Sequence, residues 1–316
     1  MPEPSTILMF VGFAVAAYSV VGNDSIQTLG TYIASNQTVK WYYQWAFASS
    51  ILVAVVLYSF FAYSGDISFG RLEKIPFQEV QWFHLAAPLA LFVLTRMGIP
   101  VSTSLLVLSA FTSSVVFSSI LMKSAFGYGL AAIVAYLLWY AIYTWDNKNN
   151  PVAPEREKYW RIGQWLSTAF LWGTWLAHDV ANISVFLPRK MDIPTLIFIL
   201  CIFVGGLGYM LYRRGGAIQH IVLEKSNTNY LRSATLIDLC YAFVLLFFIE
   251  LNSIPMSTTW VFLGLLSGRE LAIATRTVDY KFKNVFPIVG KDILRLLFGL
   301  AVSIAVALLV QQATQG

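Results

Sequence analysis

Long apolar segments follow one another along the whole chain, with short polar stretches between them. Four are uninterrupted and long enough to cross a bilayer, since a helix needs about 20 residues to span the hydrocarbon core; they lie at 41–62, 127–145, 195–212 and 288–310. Two more, at 6–35 and 162–187, contain Gly22-Asn23-Asp24 and His178-Asp179. We expect these two to be broken helices, because unwound backbone at membrane depth is tolerated only where it faces protein or a polar cavity.

Two further segments, 85–120 and 231–267, each place an Ile-Pro turn between two apolar arms, at Ile99-Pro100 and Ile254-Pro255. Proline removes a backbone donor and restricts the residue before it, so a helix ends at the turn. The Ser and Thr residues that follow are typical of the start of a new helix. The pattern predicts two re-entrant helical hairpins.

The chain is a duplication. Asp24 and Asp179 are 155 residues apart, and each is followed 76 residues later by the proline of a Pro-x-Ser-Thr turn. The polar stretch around residue 150 separates a first repeat, 1–150, from a second, 151–316. Each half has three crossings and one hairpin, and this odd number reverses the orientation of the second half. The sequence therefore predicts an all-α integral membrane protein built from two inverted-topology repeats.

Composition agrees with this class. Hydrophobic residues make up 58% of the chain and charged residues 12%, which leaves too little polar surface for a soluble domain. If both termini lie outside the cell membrane, 15 of the 21 Lys and Arg residues fall on the inside. Positively charged loops are retained in the cytoplasm, so we expect this orientation and read the net charge of +5 as a topology signal, not as nucleic-acid binding.

Asp24 and Asp179 are the candidate cation ligands. An ionised carboxylate at the bilayer centre costs roughly 2.5–3.5 kcal/mol, so a role or a ligand is expected for each. The amides of Asn23 and Gln27 lie near Asp24, and Asn182 occupies the position equivalent to Gln27. Carboxylate and amide oxygens suit a hard cation such as Na⁺, and the same carboxylates can also carry a proton. The alternative is that each aspartate only caps the following half-helix.

The hydroxyl triplets after the two prolines are the candidate anion site. At the start of a helix, hydroxyls, free backbone N–H groups and the positive end of the dipole converge on one point. Ordinary capping is the alternative. The six residues are Ser102, Thr103, Ser104, Ser257, Thr258 and Thr259.

Three further polar residues lie within apolar segments. Arg96 and Glu250 fall at nearly equivalent positions of the two hairpins. Either they form a buried ion pair, or Arg96 faces an anion and Glu250 a cation. His178 replaces at the second break the amide that Asn23 supplies at the first, and it is either a neutral hydrogen-bonded side chain or a group that gates with pH.

The motifs resemble the duplicated signature of the inorganic phosphate transporter (PiT) family. They are Gly22-Asn23-Asp24 with Pro100-Val-Ser-Thr-Ser, and His178-Asp179-Val-Ala-Asn182 with Pro255-Met-Ser-Thr-Thr. The resemblance implies a homodimeric, cation-coupled oxyanion symporter. It implies that Asn23, Asp24, Gln27, Asp179 and Asn182 serve cations or the protonated oxygen of the anion, and that the six hydroxyl residues bind the anion.

The chain departs from the family signature at several positions. Leu105 and Trp260 stand where the family has histidine, and His178 stands where it has asparagine. These changes affect the identity of the substrate more than the class of protein.

The resulting prediction is a secondary active transporter that couples uptake of inorganic phosphate to Na⁺, favoured over H⁺. The alternatives are a permease for sulfate or another tetrahedral oxyanion, and a passive anion channel. An enzyme is not expected, because the chain has no HExxH, Gly-x-Ser-x-Gly or Gly-x-Gly-Asp motif.

Overall fold

The computed structural model describes residues 3–145, 154–216, 219–223, 231–251, 256–276 and 282–315, and within these ranges the ordered elements are all helical. A π-helical segment, Val20–Asp24, joins the first two α-helices, and a 3-10 turn, Trp82–Leu85, precedes the fourth. The α-helices of these ranges are α1 (Pro4–Ser19), α2 (Ser25–Ser35), α3 (Trp41–Ala62), α4 (Ala86–Arg96), α5 (Thr103–Leu108), α6 (Ser114–Trp145), α7 (Pro154–Ser184), α8 (Ile193–Tyr212), α9 (Gln219–Leu223), α10 (Leu231–Leu251), α11 (Thr258–Arg276) and α12 (Phe282–Gln315). The predicted all-α class is confirmed.

Five helical segments of the described residues are long and apolar enough to cross a membrane: Pro4–Ser35, Trp41–Ala62, Ser114–Ile142, Ile193–Tyr212 and Val285–Thr314. Large apolar side chains project outward from several of them, including Phe61, Val115 and Leu294. Exposing such an apolar surface to water would be unfavourable, whereas lipid tails are as apolar as these side chains. The protein is therefore a multi-pass membrane protein. Helix α7, predicted as a further crossing, does not meet the same criteria and carries Glu155 and Glu157 in its first turn.

The break predicted within 6–35 is not a break. The helix continues through Gly22-Asn23-Asp24 as a π-helical turn, and Asp24 itself has helical angles, with φ −77° and ψ −37°. A π turn inserts one residue without unwinding the backbone, and such turns are frequent at functional sites. Asn23 and Asp24 are both buried at this turn.

The break predicted within 162–187 is also wrong. Helix α7 runs without interruption from Pro154 to Ser184 and carries His178 and Asp179 on regular helical backbone. Neither glycine nor proline lies between Trp175 and Ser184, so nothing in the local sequence forces the helix to unwind there.

The first hairpin ends earlier than predicted. Helix α4 ends at Arg96, and Gly98 closes it with a Schellman motif: its φ is +70°, Gly98 N donates to Thr95 O at 3.0 Å, and Ile99 N donates to Leu94 O at 3.0 Å. Helix α5 then restarts at Thr103 as expected but ends at Leu108. A hydroxyl-rich run from Ser109 to Ser114 follows, and its side chains compete with the helix for backbone hydrogen bonds. Helix α6 then begins at Ser114, within the range 85–120 that was assigned to the hairpin.

The second hairpin extends further than predicted, because α11 continues to Arg276. Its turn residues 252–255, which include Pro255, lie outside the described residues. Helix α11 packs closely on α6, with Gly264 and Gly268 directly against the backbone of Tyr128 and Ala132. Small residues at such positions let two helix backbones approach in membranes. Whether the two hairpins are re-entrant stays a prediction.

The order of elements repeats along the chain. The first half runs α1–α2, α3, α4–α5 and α6, and the second runs α7, α8, α10–α11 and α12, with the short α9 added. The repeat boundaries and the inversion of the second half stay predictions, and the connection 146–153 lies outside the described residues.

Candidate functional site

The Asp24 carboxyl is the centre of a buried hydrogen-bond network. Its Oδ1 accepts from Asn23 Nδ2 at 2.8 Å, from Gln27 Nε2 at 3.1 Å and from Thr259 Oγ1 at 3.4 Å. Its Oδ2 accepts from the Thr103 hydroxyl. All five side chains are at most 2% exposed. Asp24 therefore brings together hydroxyls from the predicted anion-binding triplets of both repeats.

The starts of α5 and α11 meet at this point. Ser104 Oγ donates to the Met256 carbonyl at 2.6 Å, and Thr259 Oγ1 lies 3.3 Å from the Val101 carbonyl. Asn23 Nδ2 donates to the same Val101 carbonyl at 2.7 Å. The starts of α5 and α11 are thus held together against the π turn, although their residues are more than 150 positions apart.

Side-chain capping also occurs at the starts of α5 and α11, so the alternative considered for the hydroxyl triplets holds for some of their residues. Ser102 Oγ accepts from Leu105 N at 3.1 Å, and Ser257 Oγ accepts from Trp260 N at 3.2 Å. The first hydroxyl of each triplet caps its helix, and the hydroxyls of Thr103 and Thr259 point to Asp24 instead. Thr258 is buried in the same way, and its carbonyl accepts from Tyr241 OH at 2.9 Å.

Asp179 forms a simpler arrangement in the second repeat. Asn182 Nδ2 donates to Asp179 Oδ1 at 2.8 Å, and both residues are at most 1% exposed. The Thr258 hydroxyl and the Arg71 guanidinium lie close enough to Asp179 to interact with its charge. The sequence offered no reason to link Arg71 with this group.

Four buried oxygen atoms around the two aspartates have no hydrogen-bond partner among the described residues. They are Asn23 Oδ1, Gln27 Oε1, Asp179 Oδ2 and Asn182 Oδ1. Each buried polar atom without a partner lowers the stability of the folded protein by about 1–3 kcal/mol, so a group of such atoms indicates a ligand site. Amide and carboxylate oxygens are the donor set of a hard cation, and these residues therefore fit Na⁺.

His178 is held by two partners that fix its tautomer. Its Nε2 lies 3.1 Å from the Leu245 carbonyl, which can only accept, so Nε2 carries the proton. Its Nδ1 then accepts from Arg71 Nη2 at 2.9 Å. This geometry suits a neutral imidazole, because a second proton on Nδ1 would face the guanidinium.

Arg71 is a site residue that the sequence did not reveal. It lies in the loop between α3 and α4, is 5% exposed, and points inward to His178. Burial lowers the pKa of Arg71 to about 10, with the nearby Asp179 charge acting in the opposite direction, so the guanidinium is charged at neutral pH. The one signal for Arg71 in the sequence was its position on the predicted outer side of the membrane, where few basic residues occur, so an arginine there is unusual.

Arg96 is not buried, in contrast to the ion pair considered from the sequence. It is exposed, donates to Tyr18 OH at 3.3 Å and lines a cavity of about 390 Å³ together with Gly22 and Arg213. Helix α10 reaches Leu251, but the side chain of Glu250 lies outside the described residues. The ion pair between Arg96 and Glu250 stays a prediction. The exposed position of Arg96 does not favour it, because the prediction assumed a buried arginine.

A further buried carboxyl, Asp238 on α10, had no predicted role. Its Oδ1 accepts from Thr31 Oγ1 at 2.5 Å and its Oδ2 from Thr168 Oγ1 at 2.5 Å. Asp238 is fully buried and links α10 to α2 and α7. It joins the second hairpin to the two helices that carry the candidate cation ligands.

Comparison with known proteins identifies the fold. No protein-family model and no curated protein sequence matches the chain. A solved structure described as the sodium-dependent phosphate transporter is similar, with a TM-score of 0.67 and 16% sequence identity, over 98% of this chain and 100% of that one. The chain has the fold of that transporter, in agreement with the resemblance of its signature motifs to the PiT family.

Proposed function

We propose that this protein is a secondary active transporter that couples the uptake of inorganic phosphate to a cation, Na⁺ rather than H⁺. The observation that carries the proposal is the Asp24 carboxyl, which accepts hydrogen bonds from Thr103 of one hairpin and Thr259 of the other. The fold shared with a sodium-dependent phosphate transporter and the apolar spans support the same class, a transporter rather than an enzyme.

The network around Asp24 offers a physical reason for coupling. The Thr103 hydroxyl donates to Asp24, and the single hydrogen of the Thr259 hydroxyl has two acceptors in reach, Asp24 Oδ1 at 3.4 Å and the Val101 carbonyl at 3.3 Å, so neither hydrogen is available to an anion. A cation that takes the carboxylate lone pairs withdraws the acceptor from Thr103 and one of the two acceptors from Thr259, and the Thr103 hydroxyl then turns toward a substrate. Cation binding therefore strengthens anion binding, and by linkage the anion strengthens binding of the cation to the same degree.

The unpaired oxygens support a position for each cation. Asn23 Oδ1 and Gln27 Oε1 flank Asp24, and Asn182 Oδ1 and Asp179 Oδ2 form the corresponding group in the second repeat. We assign one cation to each group. The anion then lies between them, at the joined starts of α5 and α11, where Ser102, Ser104, Ser257 and Thr258 supply the remaining hydroxyls.

Uptake into proteoliposomes tests the proposal. The purified protein is reconstituted, an inward Na⁺ gradient is imposed, and accumulation of ³²P-phosphate is followed, with choline replacing Na⁺ as the control. We expect phosphate to rise above its external concentration only with the Na⁺ gradient. Calorimetric titration of phosphate with and without Na⁺ should give a phosphate Kd that falls at least about fivefold with Na⁺, the lower end of ordinary coupling.

Other outcomes identify the alternatives. Equilibration of phosphate without accumulation would indicate a passive channel. Accumulation driven by a pH gradient in the absence of Na⁺ would replace Na⁺ by H⁺ as the coupling ion. Accumulation of ³⁵S-sulfate in place of phosphate would keep the mechanism and change the substrate.

A further inference from the structure

The loop that carries Arg71 has a rigid local structure. Asp66 accepts from Ser68 N and Ser68 Oγ, each at 2.7 Å, and from Gly70 N at 3.2 Å. Gly65 has a φ of +97°, and its carbonyl accepts from Met191 N at 3.1 Å, which attaches the loop to the segment after α7. Arg71 N donates to the Ser68 carbonyl at 3.1 Å. The loop therefore holds the Arg71 side chain in an inward direction.

The guanidinium of Arg71 is buried without a full set of partners. Among the described residues no carboxylate forms an ion pair with it, and its hydrogen bond goes to the neutral His178 ring. Its Nε has no partner in the described part of the chain. The Asp179 charge lies near enough to act on Arg71 but forms no direct ion pair with it. A buried cation with only this partial compensation is unfavourable, so an anion that arrives from outside the protein would complete the site.

Asp179 presents the complementary atom. It follows His178 directly in α7, and its Oδ2 is buried and unpartnered among the described residues. The Arg71 guanidinium offers a positively charged N–H donor, and the Asp179 carboxylate offers an acceptor. Arg71 and Asp179 each lie close enough for their charges to interact.

We propose that Arg71 is an anion-binding residue of this transporter, and that together with Asp179 it selects monohydrogen phosphate over sulfate. This inference rests on the proposed function. Monohydrogen phosphate carries charge for the guanidinium and one hydroxyl that Asp179 Oδ2 accepts. A carboxylate oxygen has two lone pairs, so this atom can bind the cation with one and accept the phosphate hydroxyl with the other. Sulfate has no proton at neutral pH, so its oxygen would face the carboxylate oxygen, and this repulsion lowers its affinity.

The test compares two charge-removing substitutions in the same loop. Arg71→Gln removes the buried charge and retains a hydrogen-bond donor for His178. Lys74→Gln removes an equal charge three residues away, where the side chain is exposed. Phosphate Kd at saturating Na⁺, the Na⁺ concentration for half-maximal uptake and the ratio of sulfate Ki to phosphate Kd are measured for each. Elution profile and thermal stability without phosphate report folding.

We expect Arg71→Gln to raise the phosphate Kd about tenfold or more, the effect of losing a hydrogen bond to a charged group, and to change the Na⁺ requirement less. Lys74→Gln should remain within about twofold of the wild type, as expected for an exposed charge. Wild-type protein should bind sulfate at least about tenfold more weakly than phosphate. Arg71→Lys keeps the charge without the planar fork and should recover part of the loss.

The outcomes separate this inference from the proposed function. A wild type without Na⁺-dependent phosphate binding rejects the proposed function. A wild type that binds phosphate, combined with an unchanged phosphate Kd in folded Arg71→Gln, overturns the role of Arg71. If Arg71→Gln does not fold, Arg71→Lys decides, and a phosphate Kd equal to that of the wild type in that variant overturns the need for the guanidinium. Equal affinity of the wild type for sulfate and phosphate overturns the selectivity.

Discussion

At the residue scale, the two membrane aspartates are not equivalent. Among the described residues, Asp24 accepts from four side chains, Asn23, Gln27, Thr103 and Thr259, whereas Asp179 accepts from one, Asn182. Asp24 therefore joins the proposed cation and anion parts of the site, and Asp179 Oδ2 has no hydrogen-bond partner in the described part of the chain. The aspartates and amides could be selected from the sequence because polar groups within apolar segments are unfavourable without a function. Arg71 could not, because a loop arginine has no such signal.

We predict that Asp24→Asn and Asp179→Asn each abolish Na⁺-driven phosphate uptake while the protein still folds. The substitution removes an unfavourable membrane charge and keeps the size of the side chain, so insertion should be unchanged or improved. Asp192→Asn is the matched control, since Asp192 caps α8 from outside the site and asparagine caps equally well. Uptake in proteoliposomes and elution profile are measured. Normal Na⁺-dependent uptake in both site variants would contradict the cation assignment.

At the element scale, the close packing of α11 on α6 holds the second hairpin in place. A Cβ added at Gly264 or Gly268 would overlap the backbone carbonyl of Tyr128 or Ala132, respectively. Backbone cannot move aside as a flexible side chain can, so the two helices would have to separate. The sequence contains this pair of glycines at a helical spacing, but only the structure identifies the helix that they contact.

We therefore predict that Gly268→Ala lowers the free energy of unfolding by about 1–3 kcal/mol, the ordinary range for overpacking, despite the better helix propensity of alanine. Gly129→Ala is the control, because a Cβ at that position of α6 meets nothing within 4 Å and should leave stability unchanged or slightly raised. Unfolding midpoints in detergent compare the two variants. Equal midpoints would show that the close approach of α6 and α11 is not needed.

At the scale of the whole molecule, the two predicted repeats differ in the packing that surrounds the candidate site. The Thr31–Asp238–Thr168 cluster has three phenylalanines at the positions 155 residues away, Phe186, Phe83 and Phe13. Phe13 and Phe186 are fully buried in the apolar core. A carboxyl and two hydroxyls thus join α2 of the first half to α7 and α10 of the second, whereas the equivalent positions carry apolar side chains. On the predicted duplication, the chemistry of these positions differs between the halves.

The charge distribution predicts the orientation of the molecule, and this prediction can be tested directly. We predict that Glu73→Cys, in the loop after α3, is labelled in intact cells by a membrane-impermeant maleimide, and that Glu155→Cys, at the start of α7, is labelled only after permeabilisation. Both positions are exposed, and the background carries Cys201→Ala and Cys240→Ala so that the introduced thiol alone reacts. Most basic residues lie on the predicted inner side, which places Glu155 in the cytoplasm. The reverse labelling pattern would invert the topology.

The sequence by itself determined the all-helical membrane class and most of the apolar spans, and it predicted the duplication and the polar residues of the site. These features depend on composition, period and the high free energy of polar groups in lipid, which are local or additive properties of the chain. The predicted helix breaks at residues 22–24 and 178–179 were wrong. Whether the helix continues there depends on whether other helices supply hydrogen-bond partners for the polar side chains. The sequence around each aspartate does not contain that information.

Only the tertiary structure decided which polar residues meet. It joined Asp24 to Thr103 and Thr259, directed Arg71 to His178, and linked Asp238 to Thr31 and Thr168. Most of these contacts join residues more than 70 positions apart. Helix packing brings such residues together, and the packing is set by the shapes of whole helix faces, including glycines such as Gly268, and not by the identity of the polar residues themselves.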